Sequence, residues 1–316
     1  VRTPGHRPRR VKGRVLESAG GVYRVRAGDR ELDCSLRGRI KLGPGSIAIG
    51  DLVEVELLED GSCRIEGVLP RTGRLARRSF AKRREQVLAA NVDQVAAVIS
   101  VSRPEPDFFL LDRLLAVAEL NDLSALVVCN KADLLGPGEG PLPSGLRDYA
   151  AAGYAVLPVS AKTGSGLDDL TARLADRITV LAGPSGAGKS SLVNALVPGT
   201  DLRVGEVGDR SGRGRHTTTS GRLIPLGGDT YLADTPGVQN FEPAALDPAE
   251  LSMAFREFRP HLGACRFSDC RHRNEPGCAV LGAVEAGEIS RHRYESYLSL
   301  LEAAEQAARP WERGGG

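Results

Sequence analysis

Long apolar runs are missing from this 316-residue chain. A membrane-spanning helix needs about 18 consecutive apolar residues, and the longest candidate here is "VAAVISV" at 95–101. No apolar run follows the basic opening "VRTPGHRPRR", so it does not read as a secretory signal. A cytoplasmic location with no membrane partner is the expectation. Aromatic residues are scarce, at 4%. Before residue 100 only Tyr23 and Phe80 occur, which leaves little there for stacking single-stranded bases. A disulfide framework is absent as well. Cys34, Cys63 and Cys129 stand singly while Cys265, Cys270 and Cys278 cluster, a spacing that favours a metal site in a cytosolic protein. Net charge is small, at +2, but it conceals a split: residues 1–84 hold 20 Lys/Arg against 10 Asp/Glu, and the remainder holds 22 against 30. A basic N-terminal part on an acidic body suggests a polyanionic partner.

What is present divides into segments. "VKGRVLE", "GVYRVRA", "RELDCSLRG", "DLVEVELL" and "CRIEGVL" are short alternating runs punctuated by "SAGG", "GD", "KLGPGSIAIG" and "EDGS". Five such strands over 11–72 fit an OB-type β-barrel, and an SH3-like barrel fits as well. A basic tail (1–10) precedes them, and a charged linker (73–90) follows. From 91 to 245, apolar runs alternate with amphipathic stretches, which predicts a parallel α/β sheet with ligand loops at its strand ends. "RLIPL" and "TYLAD" read as a hairpin closing that layer. Residues 246–310 read as mostly helical around the Cys/His cluster, and 311–316 as a flexible tail.

The octad "GPSGAGKS" at 183–190 matches a phosphate loop in full, between an apolar strand and a helical "SSLVNALV". Its residues Gly183, Pro184, Ser185, Gly186, Ala187 and Gly188 would wrap phosphates with backbone N–H groups, at a helix start running through Ser191. Lys189 would bridge the β- and γ-phosphates and Ser190 would ligate Mg²⁺. "DTPG" ends another strand, placing Asp234 to hold Mg²⁺ and Gly237 to sense the γ-phosphate. "RHTTT" at 215–219 lies where a switch segment would supply a threonine, with Thr217, Thr218 and Thr219 all open by spacing. "NKAD" contributes Asn130, Lys131 and Asp133 at the end of "ALVVC". The Asp133 carboxylate can accept from guanine N1–H and N2–H₂, which adenine cannot offer, so the nucleotide reads as GTP/GDP. "VSAKTG" ends the next strand, and the backbone of Ser160, Ala161 and Lys162 can contact guanine O6.

A base-reading loop that precedes its phosphate loop implies a circular permutation. The parts meet in space rather than in sequence, and domain termini often lie close enough to be rejoined. Further on, "CRFSDCRHRNEPGC" (C-x₄-C-x-H-x₅-C) can close one structural Zn²⁺ site through Cys265, Cys270, His272 and Cys278. His261 is the alternative ligand. Arg266, Arg271 and Arg273 would ring that site with positive charge. Arg24, Arg26, Arg37, Arg39 and Lys41 could form a phosphate-binding surface on the barrel.

The chain resembles the ribosome small subunit-dependent GTPase A family of circularly permuted bacterial GTPases. The resemblance runs from "GRV" at 13–15 to about residue 300, and rests on "ANVDQV", the permuted motif order, "GRGRHTTT" and the Cys/His cluster. It implies an OB domain, a permuted G domain and a zinc domain. It also implies a role late in maturation of the 30S subunit, contact with 16S rRNA, and GTP hydrolysis stimulated by the subunit. Among the switch threonines it singles out Thr218. The position after "DTPG", where many GTPases orient water with glutamine, is Val238. His216 is therefore the catalytic candidate, active once a partner orders its loop, and the resemblance points to it too. Nothing calls for a dimer. The competing readings are a GTP-dependent switch acting mainly on a protein, a nucleic-acid-binding module with a degenerate nucleotide site, and an ATPase. The basic barrel argues against the first, intact Lys189, Ser190, Asp234 and Asp133 against the second, and Asp133 against the third.

Overall fold

The computed structural model describes residues 9–36, 47–79, 84–136, 142, 144–197, 199, 221–235 and 246–308. The N-terminal strands are β1 (Arg9–Ala19), β2 (Val22–Ala27), β3 (Arg30–Leu36), β4 (Leu52–Leu57) and β5 (Cys63–Val68). Period-two alternation sends Val15, Val25, Val53, Val55 and Ile65 inward, all fully buried. β1 is long enough to pair twice, its first half with β4 and its second half with β2. With β3 and β5 parallel, the circuit β1-β2-β3-β5-β4 closes on itself. This is the OB-type barrel, and the SH3-like alternative falls away.

The segment expected as a charged linker carries structure. β6 (Arg74–Ser79) and β7 (Arg84–Ala90) pair antiparallel, with Leu75, Ala76, Ala89 and Ala90 buried at their base. The many arginines hid these few inward positions, which alone decide the pairing.

The central sheet has the order β10-β9-β8-β11-β13-β12, built from β8 (Gln94–Ser100), β9 (Ser124–Asn130), β10 (Ala155–Pro158), β11 (Ile178–Ala182), β12 (Arg222–Gly227) and β13 (Thr230–Asp234). All pairs are parallel except β12–β13, the expected hairpin. The chain lays β8, β9 and β10 outward, then returns to place β11 beside β8. Ligands bind at such a reversal, outside the carboxyl ends of the strands. β8 and β11 are buried along their whole length. The helices are α1 (Phe108–Leu120), α2 (Arg147–Ala151), α3 (Leu167–Leu174) and α4 (Lys189–Leu196). The C-terminal part has two 3₁₀ turns, Leu251–Ala254 and Arg256–His261, then α5 (Ala279–Glu285) and α6 (Arg291–Ala308). Among the described residues no helix is long and apolar enough to cross a membrane.

Two polar joints weld these parts together. At the barrel, fully buried Asp51 takes a two-pronged ion pair from Arg71, with both N···O distances 2.7 Å. Asn91 receives Thr72 N–H on Oδ1 at 2.9 Å and donates Nδ2 to Gly50 O at 2.9 Å. Gly50 has φ +87°, and a Cβ there would stand 2.1 Å from Ala90 O, so only glycine permits this approach. At the other joint Arg293 of α6 is buried between Asp112 of α1 and Glu257. Burial opposes its charge, but the two carboxylates outweigh that and raise its pKa. Arg256 and Arg259 both grip Glu119 at the end of α1.

Candidate nucleotide site and metal centre

The phosphate loop leaves β11 at Gly183 and enters α4 at Lys189. Gly183 has φ +152°, and a Cβ on it would lie 2.0 Å from Val98 O. A Cβ on Gly188, at φ +88°, would lie 2.2 Å from the Asn130 amide nitrogen. Both glycines are thus demanded by neighbouring strands as well as by any phosphate. Lys189 is 3% exposed, and its ammonium donates to Gly183 O and Pro184 O at 2.8 Å each. Ser190 is buried beside it, and Asp234 ends β13, two strands across the sheet from β8.

The base-reading loop meets the phosphate loop directly. Asn130, 1% exposed at the end of β9, donates Nδ2 to Ala187 O at 2.9 Å and receives Ala161 N–H on Oδ1 at 3.2 Å. One amide therefore ties "NKAD", "SAK" and "GPSGAGKS" together, although 57 residues separate Asn130 from Ala187. This makes Asn130 the clasp of the permuted site. Ser160, fully buried, donates its hydroxyl to Asp133 Oδ1 at 2.6 Å and receives Thr163 N–H at 3.1 Å. Ser160 thus aims the carboxylate that would read guanine. Asn130, Lys131, Asp133, Leu134, Ala161, Lys162, Gly188 and Ser191 line one cleft of about 240 Å³, a concave site whose apolar floor and convergent polar groups suit a planar base. His216, Thr218 and Gly237 lie outside the described residues, as do Arg37, Arg39 and Lys41.

"ANVDQV" also gains physical content. Asn91 makes the barrel joint, Asp93 receives Ile178 N–H at 2.7 Å, and buried Gln94 donates to Thr179 Oγ1 and Arg173 O. These residues lace β8 to β11, the two strands flanking the reversal. Isolated polar letters within an apolar strand were the available signal in the sequence.

The second cluster lies in the C-terminal part. Ligand atoms of Cys265, Cys270, His272 and Cys278 all fall within 4.8 Å of one another. Tetrahedral Zn–S bonds of about 2.3 Å set sulfurs roughly 3.8 Å apart, so a small contraction closes the set. His272 is 5% exposed with φ +56°, and its Nδ1 faces Cys265 Sγ and Cys278 Sγ at 3.5 Å each. Burial lowers its pKa, with Glu275 opposing, and so favours the neutral imidazole that a ligand must be. Burial, with help from the Cys278 and Cys265 thiols, pushes Cys270 up to about 12. A bound dication opposes that shift, since a coordinated thiol is deprotonated outright. Backbone N–H groups of Ala279 and Leu281 point at Cys265 and Cys278 sulfurs, 3.3 and 3.4 Å away. Tyr294 and Tyr297 of α6 hold the loop by its carbonyls at His272, Arg273 and Arg271. The donor set and its supports fit a four-coordinate soft-metal site. His261 stands apart from the cluster, 3.7 Å from Glu288.

The expected ring of positive charge is partly spent within the fold. Arg273 pairs with Glu305 at 2.6 Å, and Arg271 reaches Pro248 O and Glu305. On the barrel, Arg24 faces Asp33 and Glu17, and Arg26 faces Glu31. Those barrel pairs are exposed and weak, so phosphates can replace their carboxylates.

An OB-type barrel, a parallel sheet whose base loop precedes its phosphate loop, and a Cys₃His module together define a circularly permuted GTPase. A model of the RsgA GTPase family matches residues 68–244. The protein of Moorella thermoacetica named small ribosomal subunit biogenesis GTPase RsgA is 44% identical, over 92% of this chain and 96% of that protein. The protein of the same name from Gemmatimonas aurantiaca is also 44% identical, over 91% and 95%. Among solved structures, YjeQ from Thermotoga maritima superposes with a TM-score of 0.76 at 36% identity, covering 94% of this chain and 99% of that one. YloQ, described as a circularly permuted GTPase, gives 0.75 at 28% identity, covering 96% and 98%. The chain belongs to the RsgA GTPase family, and it is a GTP hydrolase.

Proposed function

We propose that this GTPase acts in biogenesis of the small ribosomal subunit, late in its maturation, with hydrolysis stimulated by the 30S particle. The observation that carries the ribosomal part is the extent of the similarity. The 92% coverage by a relative named for that process takes in the barrel and the Cys/His module as well as the G domain. A switch acting mainly on a protein partner has no such support.

In this reading Asp133, aimed by Ser160, selects guanine, and Asn130 holds the base and phosphate loops at a fixed distance. The Lys189 ammonium leaves the loop carbonyls for the β- and γ-phosphates, where charge-assisted bonds are stronger. Ser190, Asp234 and Thr218 would hold Mg²⁺, which supplies charge neutralisation on the phosphates when bound. His216 positions the attacking water once the particle orders its segment. Val238 offers no hydrogen-bonding group there, so basal turnover is slow. Cys265, Cys270, His272 and Cys278 would hold a structural Zn²⁺. The basic barrel contacts 16S rRNA phosphates, and the chain works as a cytoplasmic monomer. GTP turnover measured alone, with 30S and with 50S subunits, and with ATP as control, tests this. Slow turnover raised strongly by 30S alone is expected; turnover indifferent to 30S removes the ribosomal reading while leaving the G domain intact.

A further inference from the structure

The loops of the nucleotide site are touched by a segment that its recognised motifs do not include. Beyond β8 the chain runs through Ser100–Pro104 before reaching Asp107, the N-cap of α1. Three contacts bind this short segment to the loops on either side. Val101 N–H donates to Asn130 O at 3.0 Å, continuing the β8–β9 pairing into "NKAD". The Lys131 ammonium donates to Arg103 O. Pro104 lies against the tip of the phosphate loop, where a Cβ on Gly186 would stand 3.3 Å from Pro104 Cδ. Arg103 O is itself fixed from beneath, because Ser100 Oγ, 1% exposed, donates to it at 3.1 Å.

The consequence falls on Lys131. Its backbone is left-handed, at φ +64°, an uncommon conformation for a residue with a side chain. Its methylene stem passes Gly188, with Cε 3.8 Å from where a Cβ on that glycine would be. It then ends on the Arg103 carbonyl. The stem therefore lines the base cleft, held at one end by "NKAD" and at the other by Arg103 O. A lysine left free would lose much rotamer freedom on covering a base; one already anchored does not. We propose that Ser100, through the Arg103 carbonyl, is a positioning residue for Lys131, and that this clamp sets how long a guanine nucleotide stays bound.

The inference rests on the nucleotide site alone and not on the ribosomal partner. The test is displacement of N-methylanthraniloyl-GDP by excess GDP from the full-length protein, in a cycle of Ser100→Ala and Lys131→Met. Ser100→Ala is expected to speed release about fivefold, as the loss of one hydrogen bond allows, and to change nothing further in the Lys131→Met background. Ser100→Thr, which keeps the hydroxyl, should release at the original rate. Ser100→Cys keeps the volume with a weak donor and serves in the cycle if the alanine variant is unstable. Unchanged release from Ser100→Ala overturns the proposal. So does an equal acceleration in both backgrounds, since the hydroxyl would then act on the fold and not through Lys131. If 30S fails to stimulate turnover while the cycle behaves as expected, the clamp stands and only the ribosomal reading is lost.

Discussion

The nucleotide site and the Cys₃His module are both made of loops, yet they are held in opposite ways. The nucleotide loops hang from the ends of buried parallel strands, so their geometry is a by-product of a sheet that packs for its own reasons. Glycines at 183 and 188 let the loops approach, and one amide, Asn130, clasps them. The Cys-rich loop hangs from no sheet. It lies between a 3₁₀ turn and the seven-residue α5, and rests on two tyrosine hydroxyls of α6. So little buried apolar surface cannot offset chain entropy unaided, and four metal bonds are the natural remedy. One region takes its geometry from a buried sheet, while the other would take it from the metal proposed for its Cys₃His set.

The sharpest way to break that contrast is to remove metal. Chelation should cost on the order of 10 kcal/mol locally, the scale of structural zinc in small modules. Limited proteolysis should then cut within 246–308 while guanine nucleotide binding persists. Loss of both together would show one cooperative unit. Next in size is the phosphate loop. Lys189→Ala should lower GTP affinity by roughly 100-fold, the worth of about one strong charged hydrogen bond, with little change in melting temperature. The barrel joint is comparable: Asp51→Ala leaves Arg71 facing a buried gap and should cost about 3 kcal/mol in urea unfolding. Ser160→Ala should be smaller, weakening guanine nucleotide binding about fivefold through a loosened Asp133. A Ser160→Ala protein that binds GTP normally would mean Asp133 needs no aiming.

The difference between the two regions also explains what the sequence revealed. Phosphate loop, base loop and Cys/His spacing are short chemical patterns, because phosphates, guanine and a soft metal each demand fixed residue types close together. The barrel and parallel strands were legible for another reason: alternation and apolar runs report burial directly. The joints were not legible. Asp51 and Arg71, or Asp112, Glu257 and Arg293, are ordinary charged letters far apart in sequence, and only the fold makes them partners. The hairpin at 74–90 was masked by its arginines, and the clasping role of Asn130 by its place in a motif usually read for the base. Ser100–Pro104 carries no motif at all, since one of its main contacts is through a backbone carbonyl.

In the proposed function, the choice of guanine depends on Asp133, held by Ser160 beside the phosphate loop of a permuted chain. The direct measurement is nucleotide choice by the protein and by Asp133→Asn, comparing GTP, XTP and ATP. The unaltered protein should hydrolyse GTP and neglect the other two. Xanthine carries a carbonyl where guanine has its amine, so the amide variant should lose GTP and gain XTP, because each donor again meets an acceptor. Equal use of ATP and GTP by the unaltered protein, or a variant that keeps its preference for GTP, would contradict this reading of the site.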